Sequence, residues 1–165
     1  MNILIIGPYP PPYGGISSLI KSLVGGFKRK DVNSVVILYF GNNNKIRNVD
    51  GAIVYERSVS KNAWQILNPL NWSLLPSLIK IYSGNNLSFK DYMNIFIRTI
   101  LTNKISKKHN TNTTSFYQSD TSFHLLLCKE LWGKSISIIL TVFGEIYDQA
   151  DYLITKKNLL LEMLY

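Results

Sequence analysis

Apolar residues along this chain fall into two rhythms, short unbroken runs and longer stretches at helical spacing, and their alternation predicts the class of fold. Ile3, Leu4, Ile5 and Ile6 form a continuous, largely β-branched run closed by Gly7. Such a run suits a central strand of a parallel sheet covered on both faces. After a loop rich in proline and glycine, Ser17 and Ser18 are placed to cap a helix with Leu19, Ile20, Leu23, Val24 and Phe27 on one face. Gly25 and Gly26 weaken its last turn, and Lys28, Arg29 and Lys30 complement a C-terminal end. Residues 35–40 form the next strand, so the chain opens as strand, loop, helix, strand, the βαβ unit.

Residues 41–51, with Gly41-Asn42-Asn43-Asn44 and Asn48-Val49-Asp50-Gly51, are expected to form an exposed connection to a short third strand at 52–55. Helices are expected over 72–82 and 90–107, separated by Ser83-Gly84-Asn85-Asn86. A polar stretch at 109–113 leads to a strand at 114–117, a helix near 121–132 and a strong strand at 136–141. Residues 151–165 have a helical pattern that stops on an apolar run, as expected of a domain that continues elsewhere. The pattern predicts an α/β, Rossmann-like three-layer sandwich with a mostly parallel sheet, in one domain over residues 1–165.

Composition narrows the chemistry. With 165 residues, 46% of them hydrophobic, the chain can bury one sizeable core. Lysine and arginine outnumber aspartate and glutamate by 18 to 10, and the resulting +8 favours anionic partners. The single cysteine, Cys128, has no partner for an intramolecular disulfide and lies in the apolar run Leu125-Leu126-Leu127, so it is expected in the core. No stretch reaches the roughly 18 to 20 apolar residues of a spanning helix, and the first six residues lack the basic leader of a signal peptide. The chain is expected in the cytoplasm, with peripheral contact at the inner membrane face left open.

The segment Gly7-Pro8-Tyr9-Pro10-Pro11-Pro12-Tyr13-Gly14-Gly15-Ile16-Ser17 carries most of the functional argument. It follows the first strand and opens the first helix, at the carboxyl edge where open α/β sheets bind ligands. The prolines stiffen the excursion, while Gly14 and Gly15 let backbone amides approach a ligand at a helix N-terminus that favours phosphate or carboxylate. The segment has neither the Gly-x-Gly-x-x-Gly of dinucleotide folds nor the Gly-Lys-Ser/Thr of a Walker loop.

At these residues the chain resembles the N-terminal domain of family-4 GT-B glycosyltransferases, whose chains open with a strand and a similar proline-stiffened loop ending in Gly-Gly. A second match is Ile138-Ile139-Leu140-Thr141-Val142-Phe143-Gly144-Glu145, similar to the family's strand ending in Thr-x-His-Gly, preceded by a helix that closes on Gly133. The resemblance covers essentially the whole chain. It implies that Gly14, Gly15, Ile16 and Ser17 face the phosphates of a nucleotide-sugar, and that Tyr13, Asp120, Thr141, Phe143, Gly144 and Glu145 belong to the acceptor side. It also implies that the donor-binding C-terminal Rossmann-like domain, with its paired glutamates, lies outside these residues, so that the chain alone is inactive. Two positions depart from the family pattern: Phe143 replaces its usual histidine, and Tyr117-Gln118-Ser119-Asp120 stands where many members carry a histidine-containing turn.

Other residues admit two readings. Asp120 suits either a polar cleft residue or the N-cap of the following helix. Glu145 suits either sugar hydroxyls or solvent. His124, among Phe123, Leu125 and Leu126, is expected in or beside the core. No paired carboxylates, metal-spaced Cys/His cluster or Ser/His/Asp set is discernible, which argues against hydrolases and metalloenzymes. No metal or cofactor is expected; the nucleotide-sugar implied by the resemblance is a co-substrate.

Arg98, Lys104, Lys107 and Lys108 gather toward the end of the helix bearing Phe89, Tyr92, Met93, Phe96, Ile97, Ile100 and Leu101, close in sequence to Trp64 and Trp72. The favoured reading is an apolar stripe facing a core with lysines complementing the helix dipole; the other is contact with an anionic membrane. No nucleic-acid motif accompanies these lysines, and no nucleic acid is expected as partner. The expected function is a glycosyltransferase N-terminal domain that helps transfer a hexose to a glycan or lipid-linked acceptor. The competing expectation is a non-catalytic α/β module that binds an anionic or phosphorylated small molecule.

Overall fold

In the computed structural model, residues 1–9, 14–27, 32–83, 87–117 and 124–141 are described. They form a six-stranded sheet with β1 at Asn2–Ile6, β2 at Ser34–Phe40, β3 at Lys45–Val49, β4 at Ala52–Arg57, β5 at Thr113–Tyr117 and β6 at Ser137–Thr141. The spatial order is β3-β4-β2-β1-β5-β6. Every pairing is parallel except β3 with β4. The fold is therefore a mostly parallel, Rossmann-like α/β sheet, as the strand and helix alternation predicts.

Each strand divides its side chains between the two faces. Ile3, Ile5, Val35, Ile37, Val54 and Tyr117 pack with Ile20 and Val24 of α1, which spans Gly15–Phe27. Leu4, Ile6, Val36, Leu38 and Phe116 face the other way, against α2 (Leu75–Tyr82), α3 (Phe89–Lys108) and α4 (Leu125–Trp132). Helices on both faces explain why β1 and β2 are continuous apolar runs rather than alternating ones. A fully buried branched side chain such as Leu4 or Ile37 contributes roughly 1.5 to 3 kcal/mol relative to exposure.

The helices start and stop for local reasons. Ser88 opens α3 with a reciprocal cap: its Oγ accepts from the Asp91 amide at 3.2 Å, while Asp91 Oδ2 accepts from the Ser88 amide at 3.0 Å. Gly133 ends α4 at φ of 53°, a left-handed position that glycine adopts without a Cβ penalty. Most of the apolar stripe of α3 faces the core, where Ile95, Phe96, Ile97, Ile100, Leu101 and Ile105 are buried, while Phe89 at its start is exposed.

Two segments differ from expectation. Residues 45–49, expected within an exposed connection, form edge strand β3, paired antiparallel to β4 from Lys45 opposite Glu56 to Val49 opposite Ala52. The reason is the Asp50-Gly51 turn, whose residues both have positive φ, 53° and 79°, as a two-residue type I′ hairpin requires. An edge strand facing solvent tolerates the polar sequence Lys45-Ile46-Arg47-Asn48 that hides it from a hydrophobicity pattern. The helix expected over 72–82 begins only at Leu75; before it, Ser60–Leu67 and Pro69–Leu74 are 3-10 segments that meet at Asn68. Asn68 Oδ1 accepts from the Leu70 amide at 3.1 Å, and Pro69 lacks the amide to carry one helix into the next. The helical pattern at residues 151–165 lies outside the described residues.

Candidate functional site

The parallel strands run β4-β2-β1-β5-β6, and successive connections from the central strand leave on opposite faces: β1 leads to α1 on one side, while β5 precedes α4 on the other. The carboxyl ends of β1 and β5 therefore flank a topological switch point, the crevice where open α/β sheets place ligands. Gly7 ends β1 there, with its amide donating to the Leu38 carbonyl at 3.1 Å. A Cβ on Gly7 would lie 2.8 Å from Ile20 Cδ1 and 3.1 Å from Tyr117 Cβ, so glycine is what lets β1, α1 and the end of β5 close together.

Past Gly7, Tyr9 is buried in the α1-side core, and its hydroxyl donates to Asp50 Oδ2 at 3.2 Å. Tyr13 lies outside the described residues. Gly14 and Gly15 are exposed at the start of α1, and a Cβ on Gly15 would meet nothing within 4 Å. The first amides of an α-helix have no partner inside the helix, and the peptide dipoles sum to a partial positive charge there. Gly15 thus presents open backbone at an electropositive helix end, while the backbone of Gly14 is engaged by Ser17 and Ser18.

Ser17 behaves differently from expectation. It is not the N-cap; it sits in the first turn, buried, where its Oγ accepts from the Gly14 amide at 2.8 Å and donates to the Gly14 carbonyl at 3.0 Å. With no side chain on Gly14 to return the contact, this is only the third-position half of a capping arrangement, and it holds Gly14 in place. Ile16 is half-buried against the α1-side core. Of the four loop candidates, one presents open backbone, one is held and two anchor it.

On the far side of the switch point, Thr141 ends β6 in register with Tyr117 at the end of β5. Thr141 therefore shares the carboxyl edge with Gly7, two strands away, and is half-buried. Asp120, Phe143, Gly144 and Glu145 lie outside the described residues. His124 is not in the crevice. It is fully buried, 3.2 Å from Thr102 Oγ1, with its ring centroid 5.4 Å from those of Phe40 and Phe116. Cys128 is buried as expected, and burial pushes its thiol well above the ordinary range, which leaves no reactive thiolate.

The same edge carries a polar cluster that the sequence does not announce. Glu56, near the end of β4, accepts from the Tyr39 hydroxyl at 2.9 Å and from the Asn43 amide at 3.0 Å; Arg47 donates to the Tyr39 hydroxyl at 3.1 Å. Burial works against the Glu56 charge, but these hydrogen bonds outweigh it and hold the carboxyl below its usual range. Burial, reinforced by Glu56, raises Tyr39. The cluster ties the loop after β2 to β4, so Glu56 is occupied structurally.

The four cations toward the end of α3 have different neighbours. The Arg98 guanidinium stacks 4.8 Å over the Phe40 ring, Lys104 bonds to Gln65 and sits 5.8 Å from the Trp64 ring, and Lys108 sits 5.7 Å from Tyr55. Lys107 is exposed. Among the described residues no group of His, Cys, Asp and Glu could hold a metal ion. No described helix is long and apolar enough to cross a membrane.

No family model and no curated protein matches the chain. Among solved structures, the tyrosyl-tRNA synthetase of Leishmania major in complex with tyrosinol aligns at a TM-score of 0.50 and 12% identity, over 98% of this chain and 33% of that one. The E. coli trehalose-6-phosphate synthase bound with UDP-2-fluoro glucose aligns at 0.47 and 12% identity, over 96% of this chain and 38% of that one. The chain thus spans little more than a third of the length of these proteins. At such identity the first likeness is one of fold, and it agrees with the Rossmann-like sheet described above.

Proposed function

We propose that this chain is the acceptor-side, Rossmann-like half of a GT-B glycosyltransferase of the family-4 kind, working with a second domain to transfer a hexose from a nucleotide-sugar. The observation that carries the reading is the placement of the Gly14-Gly15 pair: Gly15 open at the start of α1 and Gly14 held beside it by Ser17, following the central strand, at the switch point between β1 and β5. The resemblance of this loop and of the Thr141 segment to that family supplies the reaction class.

In this reading the amides at the start of α1 face the diphosphate of the donor. The helix dipole stabilises the negative charge that grows on the leaving nucleoside diphosphate as the sugar is transferred. The acceptor, a glycan or a lipid-linked sugar, lies along the carboxyl edge toward Thr141. The second domain supplies the nucleotide contacts and the paired glutamates. No metal is called for, because backbone amides and the helix end take the place of a cationic clamp.

Gly15→Asp tests the reading directly. Gly15 is exposed with open space around it, so the substitution fits sterically, and a carboxylate in the first turn suits the helix dipole. The fold should be as stable as wild type. The new charge opposes a diphosphate at the same spot, so nucleotide-sugar affinity in the assembled enzyme should fall about tenfold, roughly 1.4 kcal/mol, the upper range of a helix-end interaction. A variant that binds and turns over donor like the wild type would refute the assignment.

A further inference from the structure

Tyr9 belongs to the loop after β1, yet its side chain reaches the opposite end of the sheet. Ile6, the last residue of β1, is level with Leu38 of β2 and Tyr55 of β4, whereas Asp50 lies ahead of Ala52, the first residue of β4. The Tyr9 hydroxyl nevertheless donates to Asp50 Oδ2 at 3.2 Å. Tyr9 therefore points back across the α1 face of the sheet, where it lies buried in the same core as Ala52, Val54 and Val49. Asp50 is well placed to hold it, because the two-residue turn joining β3 to β4 fixes its backbone at φ of 53° between paired strands.

The glycine pair thus has two anchors. Ser17 holds Gly14 to the first turn of α1. The Gly14 N–H also lies in the peptide plane that joins it to the preceding residue, so its direction depends on the chain arriving from the sheet. Between Tyr9 and Gly14 the sequence is Pro10-Pro11-Pro12-Tyr13, and each proline ring fixes one of the two soft dihedrals of its residue. A short segment with so little torsional freedom, fixed by Ser17 at one end and by Asp50 through Tyr9 at the other, leaves the start of α1 few alternative positions.

We propose that Asp50 is a positioning residue for the glycine loop: it holds Tyr9, and Tyr9 holds the arriving chain, so that the backbone at Gly14 and Gly15 is set before a ligand reaches it. Such preorganisation shows as affinity, since a loop already fixed in its bound form has less freedom left to lose. The ligand, a nucleotide-sugar, rests on the glycosyl-transfer reading; the tether does not.

Three substitutions separate the tether from the fold. Tyr9→Phe keeps the buried ring and removes the hydroxyl. Asp50→Gly removes the carboxylate and keeps a residue suited to positive φ, while Asp50→Asn keeps both the turn and an oxygen acceptor. In the chain alone, amide hydrogen exchange at Gly14 should quicken about five- to tenfold in Tyr9→Phe and in Asp50→Gly, beyond any change shared by the amides of β1, and return close to wild type in Asp50→Asn. In the assembled enzyme, KM for whichever of a panel of UDP- and GDP-sugars it turns over should rise about five- to tenfold with kcat unchanged. The double variant of Tyr9→Phe with Asp50→Gly should be no worse than either single one, because both remove the same bond. Gly14 exchange at the wild-type rate in both single variants would overturn the proposal, as would losses that add in the double variant or a donor KM that stays unchanged. Quickened exchange, restored by Asp50→Asn, in a protein that turns over none of these donors would uphold the tether and count against the glycosyl-transfer reading instead.

Discussion

Replacing Gly7 by alanine adds one methyl group where β1, α1 and β5 converge. Its Cβ would lie 2.8 Å from Ile20 Cδ1 and 3.1 Å from Tyr117 Cβ, against an ordinary carbon contact of about 3.5 to 4.0 Å. Ile20 must give by about 0.7 Å, and it is fully buried; Tyr117 Cβ is fixed to the backbone of β5. Overpacking of this kind costs about 1 to 3 kcal/mol. The backbone at Gly7 is outside the left-handed region, so alanine is not strained there and regains about 0.4 to 1 kcal/mol by restricting the unfolded chain. The net expectation is a loss of about 1 to 2 kcal/mol, or a fall in melting temperature of about 2 to 8 °C. Ile20→Val removes the nearer clashing carbon and should by itself cost about 0.5 to 1.5 kcal/mol. In the double variant the clash is largely relieved, so the two losses should fall short of additivity by about 1 kcal/mol. Urea unfolding of the four proteins measures the cycle. Strict additivity, or a Gly7→Ala variant as stable as wild type, would refute the argument that close approach of β1, α1 and β5 requires glycine.

Two further outcomes follow from one buried and one partly buried polar group. Thr114 is fully buried in β5 and its Oγ1 has no hydrogen-bond partner, so Thr114→Val should stabilise the protein by about 1 kcal/mol in the same unfolding assay. Burial, with help from Lys108, lowers the pKa of His109, whose Nε2 lies 2.8 Å from the Tyr55 hydroxyl. The folded state thus favours the neutral ring, and the unfolded chain takes up the proton first as pH falls below about 6.5. Stability should therefore drop as pH falls through that point, and His109→Gln should remove part of the drop. An NMR titration midpoint for His109 at or above 6.5 would contradict the assignment.

Much of this fold is legible in the residues because parallel strands buried on both faces must be apolar throughout. Ile3 to Ile6 and the run from Val35 announce themselves for that reason, and so does the helix that ends at Gly133. Strand β3 escapes because an edge strand in solvent has no such requirement; its evidence is the Asp50-Gly51 turn, which needs its left-handed geometry to be appreciated. The tryptophan segment misleads in the opposite direction, since Leu67 and Leu70 look like core residues and are among the most exposed large apolar side chains of the described residues. At the site, the position of Gly14 and Gly15 follows from the order of strand, loop and helix. Ser17 does not, because a serine near a helix start serves equally well as first cap or as third-position partner, and only the hydrogen bonds to Gly14 distinguish the two. The Tyr39, Glu56 and Arg47 cluster joins residues from three strands and carries no local signal.

Calorimetric titration of this chain with UDP, GDP and a panel of nucleotide-sugars, alone and then with a separately expressed second Rossmann-like domain, tests the central claim most directly. The account predicts no measurable binding by the chain alone and clear binding once the second domain is present, because the donor sits across a cleft to which this half contributes only a helix end and bare backbone. Tight binding by the chain alone would contradict it, and would make the glycine loop the self-sufficient site of an anion-binding module.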